Sequence, residues 1–201
     1  MSKRLFYIIF FTVLVVGFYL IITSLVPEFK RKGLPVIGKV KPFFFTNQLG
    51  KQVTENDVKG KVYVASYFFT TCKGICPEMN ANLKKVYEKF KDEKDFLILS
   101  HTSDPAVDSV PRMRQYAEAL GADPNKWIFL TGRKDSLYNM ARFNYAIDDP
   151  ANNLKDVNDI FLHTQFWALV NKRGEIRKIY DGLKMSEVNT LIKDIKKDLK
   201  E

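Results

Sequence analysis

Residues 61–77 read KVYVASYFFTTCKGICP. The first nine of them are β-prone and almost continuously apolar, which predicts a strand covered on both faces in the middle of a sheet. Pro77 suits the first position of a helix, because the N–H that proline lacks has no partner there. The segment therefore predicts a central strand that leads through a short loop with two cysteines into a helix.

Strands and helices alternate on either side of this segment. Apolar spacing and turn residues predict helices at 77–90, 111–120, 135–143 and 186–199, with Ser186 as a cap, and strands at 43–54 (a hairpin), 61–69, 96–99, 127–130, 165–170 and 175–180. Alternating strands and helices imply a parallel core, and the late hairpin adds an antiparallel edge. The predicted class is α/β with a thioredoxin-like fold: a central mixed sheet flanked by helices, with an N-terminal β-hairpin.

The composition excludes two classes of protein. The formal net charge is +9, but lysines and acids interleave in the soluble part, as in residues 84–89. Nucleic-acid binding usually shows a concentrated basic stripe, so no nucleic-acid partner is expected. Only two cysteines occur, both in one short segment. They are too few and too close for the disulfide framework of a small secreted domain.

The N-terminus carries a run of 22 residues without a charge, from Leu5 to Val26. A membrane-spanning helix needs roughly 20 apolar residues, whereas the apolar region of a signal peptide is roughly 7–15 residues long. We expect an uncleaved transmembrane helix. The expected organisation is a membrane anchor over residues 1–26, a linker rich in Pro and Gly over 27–41, and one folded domain over 42–201.

Cys72 and Cys76 lie where the central strand meets a helix N-terminus. The partial positive charge of a helix N-terminus stabilises a thiolate, which is both a nucleophile and a metal ligand. Three residues separate the pair, and two soft thiolates favour cuprous copper or zinc. Buried structural thiols, a structural disulfide and a metal-free redox dithiol are the alternatives, of which the redox dithiol is the serious one.

The chain has two histidines, and they are interpreted differently. His163 lies just before the strand at 165–170, and in a thioredoxin-like sheet the loop entering that strand packs beside the cysteine loop. His163 is therefore a candidate third ligand. His101 stands at the end of the second predicted strand, within Ser100–Pro105, and is interpreted as a loop residue that bonds nearby backbone, outside the site.

Several motifs together resemble the Sco/SenC family of copper-binding assembly factors for cytochrome c oxidase. They are Gly60–Val64, Phe68–Pro77 with its C-x3-C-P spacing, Ser100–Pro105, and His163-Thr164 before a strand that ends at Asn171–Gly174. The resemblance covers roughly residues 40–200. It implies an anchored thioredoxin-like fold that binds a copper ion through Cys72, Cys76 and His163. It also implies delivery of copper to, or thiol reduction at, the binuclear copper site of the oxidase.

The resemblance implies two protein partners, the copper-bearing oxidase subunit and a copper donor protein. Charges give no clear orientation in the membrane, because Lys3 and Arg4 compete with Lys30, Arg31 and Lys32. The chemistry of the site favours a cytoplasmic N-terminus. The expected location is a bacterial inner membrane, crossed once, with the domain on the periplasmic side.

Two enzymatic alternatives remain open. In a thiol–disulfide oxidoreductase, Cys72 would attack a partner disulfide and Cys76 would resolve the mixed disulfide, which keeps partner cysteines reduced. In a peroxiredoxin-like peroxidase, an arginine would have to activate Cys72. The candidates Arg112, Arg133 and Arg142 are all distant in sequence, so the peroxidase is the weaker alternative.

Overall fold

The computed structural model describes residues 2–25, 34–148 and 164–201. The chain divides into two compact units, residues 1–33 and 34–201. The described part of the first unit contains helix α1 (Lys3–Leu25). Its segment Lys3–Ser24 has a mean hydropathy of 2.8 and is long enough to cross a membrane. This helix is the candidate transmembrane span that the sequence predicts.

The second unit holds eight strands and four α-helices within its described residues. They are β1 (Gly38–Lys39), β2 (Phe44–Asn47), β3 (Gln52–Thr54), β4 (Val62–Phe68), α2 (Cys76–Phe90), β5 (Phe96–Thr102), α3 (Val110–Leu120), β6 (Trp127–Thr131), α4 (Lys134–Asn139), β7 (Phe166–Val170), β8 (Glu175–Asp181) and α5 (Met185–Asp198). A π-helical turn (Met140–Asn144) continues α4.

The eight strands form one mixed sheet in the order β1-β8-β7-β4-β5-β6-β2-β3. Strand β4 pairs in parallel with β5, and β5 with β6. Strand β7 pairs antiparallel with both β4 and β8. The predicted thioredoxin-like arrangement, with a parallel core, an antiparallel late hairpin and an N-terminal hairpin, is confirmed.

The sheet separates two hydrophobic cores, because successive side chains of a strand point to opposite faces. Val62, Val64 and Phe68 of β4 face a core that α2, α3 and α5 cover. Tyr63, Ala65 and Tyr67 face the other core, which α4 and the π-helical turn cover. Both cores lie within residues 34–201, so this unit is expected to fold without α1.

Three local features differ from the sequence predictions. Part of the predicted linker, residues 34–41, lies in the folded unit, because the N–H of Ile37 donates to the carbonyl of Ile176 at 2.8 Å and β1 pairs with β8. Helix α5 begins at Met185 with Lys184 as its cap, so Ser186 is not the cap. The helix predicted over 135–143 ends at Asn139, where the backbone widens into the π-helical turn.

His101 lies inside β5, so its interpretation as a loop residue is wrong. Strand pairing continues through it, with Tyr67 on one side and Leu130 on the other. The imidazole is fully buried and stacks on the Tyr67 ring at 5.1 Å between centroids. Burial lowers the pKa of His101 from 6.5 to about 4, since an apolar surrounding disfavours the charged form.

This burial predicts a loss of stability in acid. In the unfolded chain His101 takes up a proton below pH 6.5, whereas in the folded chain it does so only near pH 4. The free energy of unfolding should therefore fall by roughly 3 kcal/mol between pH 7 and pH 4 from this residue alone. His101→Phe keeps an aromatic ring and removes the titration. Urea unfolding at a series of pH values should show a flatter profile for the variant, and parallel profiles would contradict the prediction.

Candidate metal centre

The two cysteines lie at the entrance to α2, in the loop that follows β4. Cys76 is the first residue of the helix and Pro77 occupies its first turn. Cys72 lies four residues earlier, and its N–H donates to the carbonyl of Phe69 at 3.2 Å. Both are free thiols, with Cys72 partly exposed and Cys76 buried. The accessible sulfur is therefore that of Cys72.

The two thiols interact with each other. Burial raises the pKa of Cys76 above its ordinary value, and the hydrogen bond and charge of the neighbouring Cys72 raise it further. A hydrogen bond with the backbone of Phe69 opposes these effects. The pKa of Tyr116 is raised to about 12, by burial first and then by the charges of Cys76 and Cys72. Two adjacent thiols are a soft donor set, which suits cuprous copper.

The residue that follows His163 lies beside Cys76. Thr164 is buried and lines a small cavity together with Cys76, Tyr67 and Ser103. Its hydroxyl donates to the carbonyl of Ile147 and accepts from the N–H of Phe166. Thr164, the residue that the structure describes at the entrance to β7, therefore lies beside the cysteine loop. His163 itself lies outside the described residues.

A buried carboxylate holds the start of the cysteine loop. Asp108 is fully buried. It accepts hydrogen bonds from the hydroxyls of Thr70 and Thr102, both at 2.5 Å, and from the N–H of Thr70 at 3.2 Å. Asp108 therefore joins the ends of β4 and β5 to the residues before α3. Its partner Thr70 lies two positions before Cys72.

Arg112 also reaches this loop, although the sequence places it far from Cys72. Its Nε donates to the Thr70 hydroxyl oxygen at 2.7 Å. Sequence reasoning missed Asp108, Thr70 and Arg112 as a group, because they are up to 42 positions apart. The signal available in the sequence was the position of two threonines at the carboxyl ends of neighbouring parallel strands, since Thr70 lies two residues after β4 and Thr102 is the last residue of β5.

The described residues supply two metal-binding groups rather than a complete site. Within residues 2–25, 34–148 and 164–201, no group of three His, Cys, Asp or Glu side chains could hold a metal ion. Three-coordinate binding needs one more donor in addition to the two thiols. The sequence offers His163 for that position.

A mixed sheet of this topology, with two free thiols at the start of the first helix after the central strand, defines a thioredoxin-like thiol protein. The match to known families is more specific. The SCO1/SenC family model matches residues 36–200. The chain belongs to the SCO1/SenC family.

Curated relatives agree with this assignment. The SCO1 protein homolog of Bacillus subtilis is 31% identical over 166 residues, which cover 81% of this chain and 83% of that one. A mitochondrial SCO1 homolog of Arabidopsis thaliana is 26% identical, and the match covers 88% of this chain but 51% of that longer protein.

Solved structures share the fold. BsSco, described as having a disulfide switch and as a member of the Sco family of cytochrome c oxidase assembly proteins, is 29% identical with a TM-score of 0.70. The match covers 85% of this chain and 99% of that one. ScoI of Arabidopsis thaliana, solved with copper bound, is 24% identical with a TM-score of 0.61 over 80% and 99% of the two chains. At that identity the second match shows the fold alone.

The Asp108 network predicts a stability effect at a residue that is not itself a candidate ligand. In Asp108→Asn, the amide NH₂ group replaces one carboxylate oxygen. It cannot accept the hydrogen bond that a threonine hydroxyl donates in the native protein. The free energy of unfolding should fall by about 2 kcal/mol. Alkylation of Cys72 by iodoacetamide should become faster, because the loop loses its anchor.

Asp92→Asn is the matched control, since it removes the same charge from an exposed position on the surface. Urea unfolding and alkylation rates are measured on both variants. If the two variants behaved alike, the network would not be what holds the loop.

Proposed function

We propose that this protein is a copper metallochaperone that assists assembly of the binuclear copper site of cytochrome c oxidase. The observation that carries the proposal is the thiol pair at the start of α2, with Cys72 partly exposed and Cys76 buried, in a chain of the SCO1/SenC family. Cys72, Cys76 and His163 are the proposed ligands. Copper is the cargo, and the partners are the copper-bearing oxidase subunit and a copper donor protein.

The thiol pair supports this role by its exposure. Copper transfer between proteins proceeds by exchange of ligands, so the site must be reachable by an incoming thiolate. Cys72 is the sulfur that a partner reaches, whereas Cys76 stays under the surface beside Thr164. Bound copper requires both thiols to lose their protons, which makes binding dependent on pH.

The position of Thr164 supports His163 as the third ligand. Thr164 is held next to Cys76 by its bonds to Ile147 and Phe166. His163 directly precedes Thr164 in the sequence, which supports this histidine as the proposed third ligand. A nitrogen donor beside two sulfurs gives the donor set that suits copper.

The proposed arrangement of the protein in the membrane is based on the N-terminal helix α1. Residues 1–26 anchor the protein in a bacterial inner membrane, with the N-terminus in the cytoplasm and the domain on the periplasmic side. The linker predicted over 27–41 is revised to the residues before Leu34, because 34–41 are part of the folded unit. The support is the apolar span Lys3–Ser24.

The oxidoreductase alternative is not favoured. An exposed and a buried thiol would suit attack by Cys72 and resolution by Cys76, but the same reduced pair is what copper binding needs. The exposure of the thiols therefore does not separate the two roles.

The peroxidase alternative would need an arginine beside Cys72. The hydrogen bond that the Arg112 Nε makes is to the hydroxyl of Thr70 rather than to a sulfur, so it gives this alternative no support.

Copper titration tests the proposal. Residues 34–201 are reduced, cuprous copper is added without oxygen, and bound metal and affinity are measured for wild type, Cys72→Ser and His163→Ala. We expect one copper per wild-type chain and almost none bound tightly by Cys72→Ser. Removing a residue that only hydrogen-bonds to a metal ligand typically weakens metal affinity roughly 10–100-fold. Removing His163, a proposed ligand, should weaken copper affinity at least as much.

Met185→Ala is the control, because it removes an exposed sulfur from the N-terminus of α5. It should bind copper like wild type. Unchanged affinity in His163→Ala would remove that residue from the site, and no stoichiometric copper in wild type would overturn the proposed function.

A further inference from the structure

A groove of about 880 Å³ opens on the surface between β2 and the π-helical turn. Neither cysteine lines it. One wall is built from residues 41–46. The other is built from part of the segment 132–144, and its lining residues include Ser136, Asn139 and Phe143. Its volume lies in the range of ligand-binding clefts, which are roughly 300–1,000 Å³.

Two exposed phenylalanines face this groove. Phe44 is 67% exposed and Phe143 is 63% exposed, more than any other large apolar side chain in the described part of residues 34–201. Single exposed apolar side chains are ordinary on protein surfaces. Two aromatic rings on opposite walls of one groove provide a pair of anchors, and aromatic side chains dominate the energetics of interfaces.

The walls of the groove are held in place before anything binds. The N–H of Lys41 donates to the side-chain oxygen of Asn144 at 3.2 Å, which joins the two walls. The π-helical turn carries Phe143 and closes with the N–H of Tyr145 donating to the carbonyl of Met140 at 2.8 Å. π-Helical turns are rare in proteins, and those that occur often lie at functional sites.

Gly132 shapes the floor of the groove. A Cβ at this position would lie 2.8 Å from the ring of Phe45, closer than side chains tolerate. Phe45 is therefore packed inward against the backbone of Gly132, while its neighbour Phe44 points outward. The alternation along β2 places one ring in the core and the next in the groove.

The charged side chains that line the groove are cationic, and an acidic residue lies on its rim. Among its described lining residues only Lys41 and Arg133 are charged, and both are cationic. Arg133 is paired with Asp135 at 2.6 Å on the exposed rim. Arg133 makes a second hydrogen bond to Asp135 through its Nε at 3.2 Å. An exposed ion pair typically contributes under about 1 kcal/mol, so exchanging Asp135 for a carboxylate of a partner would cost little.

We propose that this groove docks an acidic segment of a partner protein through one or two aromatic or aliphatic side chains. The apolar body of the segment would pack between Phe44 and Phe143, and its carboxylates would meet Lys41 and Arg133. A membrane surface fits less well, because lipid-binding patches cluster roughly four to eight basic residues, and this surface is concave. The inference does not depend on the copper proposal, since neither of the candidate ligands that the structure describes, Cys72 and Cys76, lines the groove.

A synthetic peptide tests the proposal. The probe is a labelled peptide with two phenylalanines four positions apart, flanked by glutamates, and its twin has lysines in place of the glutamates. Fluorescence anisotropy is measured with residues 34–201 of wild type, of the double variant Phe44→Ser/Phe143→Ser, and of Lys41→Glu. Met185→Ser is the control, because it changes an exposed apolar side chain elsewhere.

The acidic peptide should bind wild type and Met185→Ser alike and bind the double variant at least roughly tenfold more weakly. Lys41→Glu should also weaken it and should improve binding of the lysine twin. Equal binding of both peptides, equal binding by the double variant, or no binding at all would overturn the proposal. Binding to anionic vesicles that the double variant loses, without peptide binding, would assign the groove to a membrane instead. Urea unfolding confirms that the variants are folded.

Discussion

The burial of β4 on both faces determines where the chemistry of this protein lies. All seven residues of the strand are buried, and β5 and β7 flank it on either side. The chain can leave such a strand only at its ends, so the cysteine loop emerges at the carboxyl edge of the parallel strands, where α2 begins. Asp108 then fixes the loop by binding Thr70 and Thr102 at the ends of β4 and β5. A buried carboxyl group is costly unless hydrogen bonds satisfy it, and here those hydrogen bonds join three segments of the chain.

This arrangement gives the two thiols different environments on a rigid support. Cys76 is part of the helix and is buried, whereas Cys72 is in the loop and partly exposed. A buried ligand holds a metal ion in place, and an exposed ligand lets a partner approach it. The proposed copper transfer uses both properties. The groove between Phe44 and Phe143 lies on other elements, β2 and the π-helical turn. A partner held there would leave the thiols free.

Local sequence patterns predicted most of the fold and the position of the two thiols between β4 and α2. The apolar run at 61–69, the cysteine spacing and Pro77 are contiguous, so their meaning can be derived from neighbouring residues alone. Other features depend on pairing between distant segments. β1 is only two residues long and exists because β8 lies beside it. The Asp108 network joins Thr70 to a carboxylate 38 positions away. His101 belongs to β5 because Tyr67 and Leu130 pair with it, and its own neighbours in sequence resemble a loop.

X-ray absorption at the copper edge tests the central claim most directly, because it reports which atoms contact the metal. The full chain, reduced and loaded with one equivalent of cuprous copper, should show two sulfur neighbours and one nitrogen neighbour. The nitrogen should disappear in His163→Ala while both sulfurs remain. A spectrum with one sulfur or none, or one unchanged by Cys72→Ser, would contradict the assignment of the copper site to the thiol pair at the start of α2.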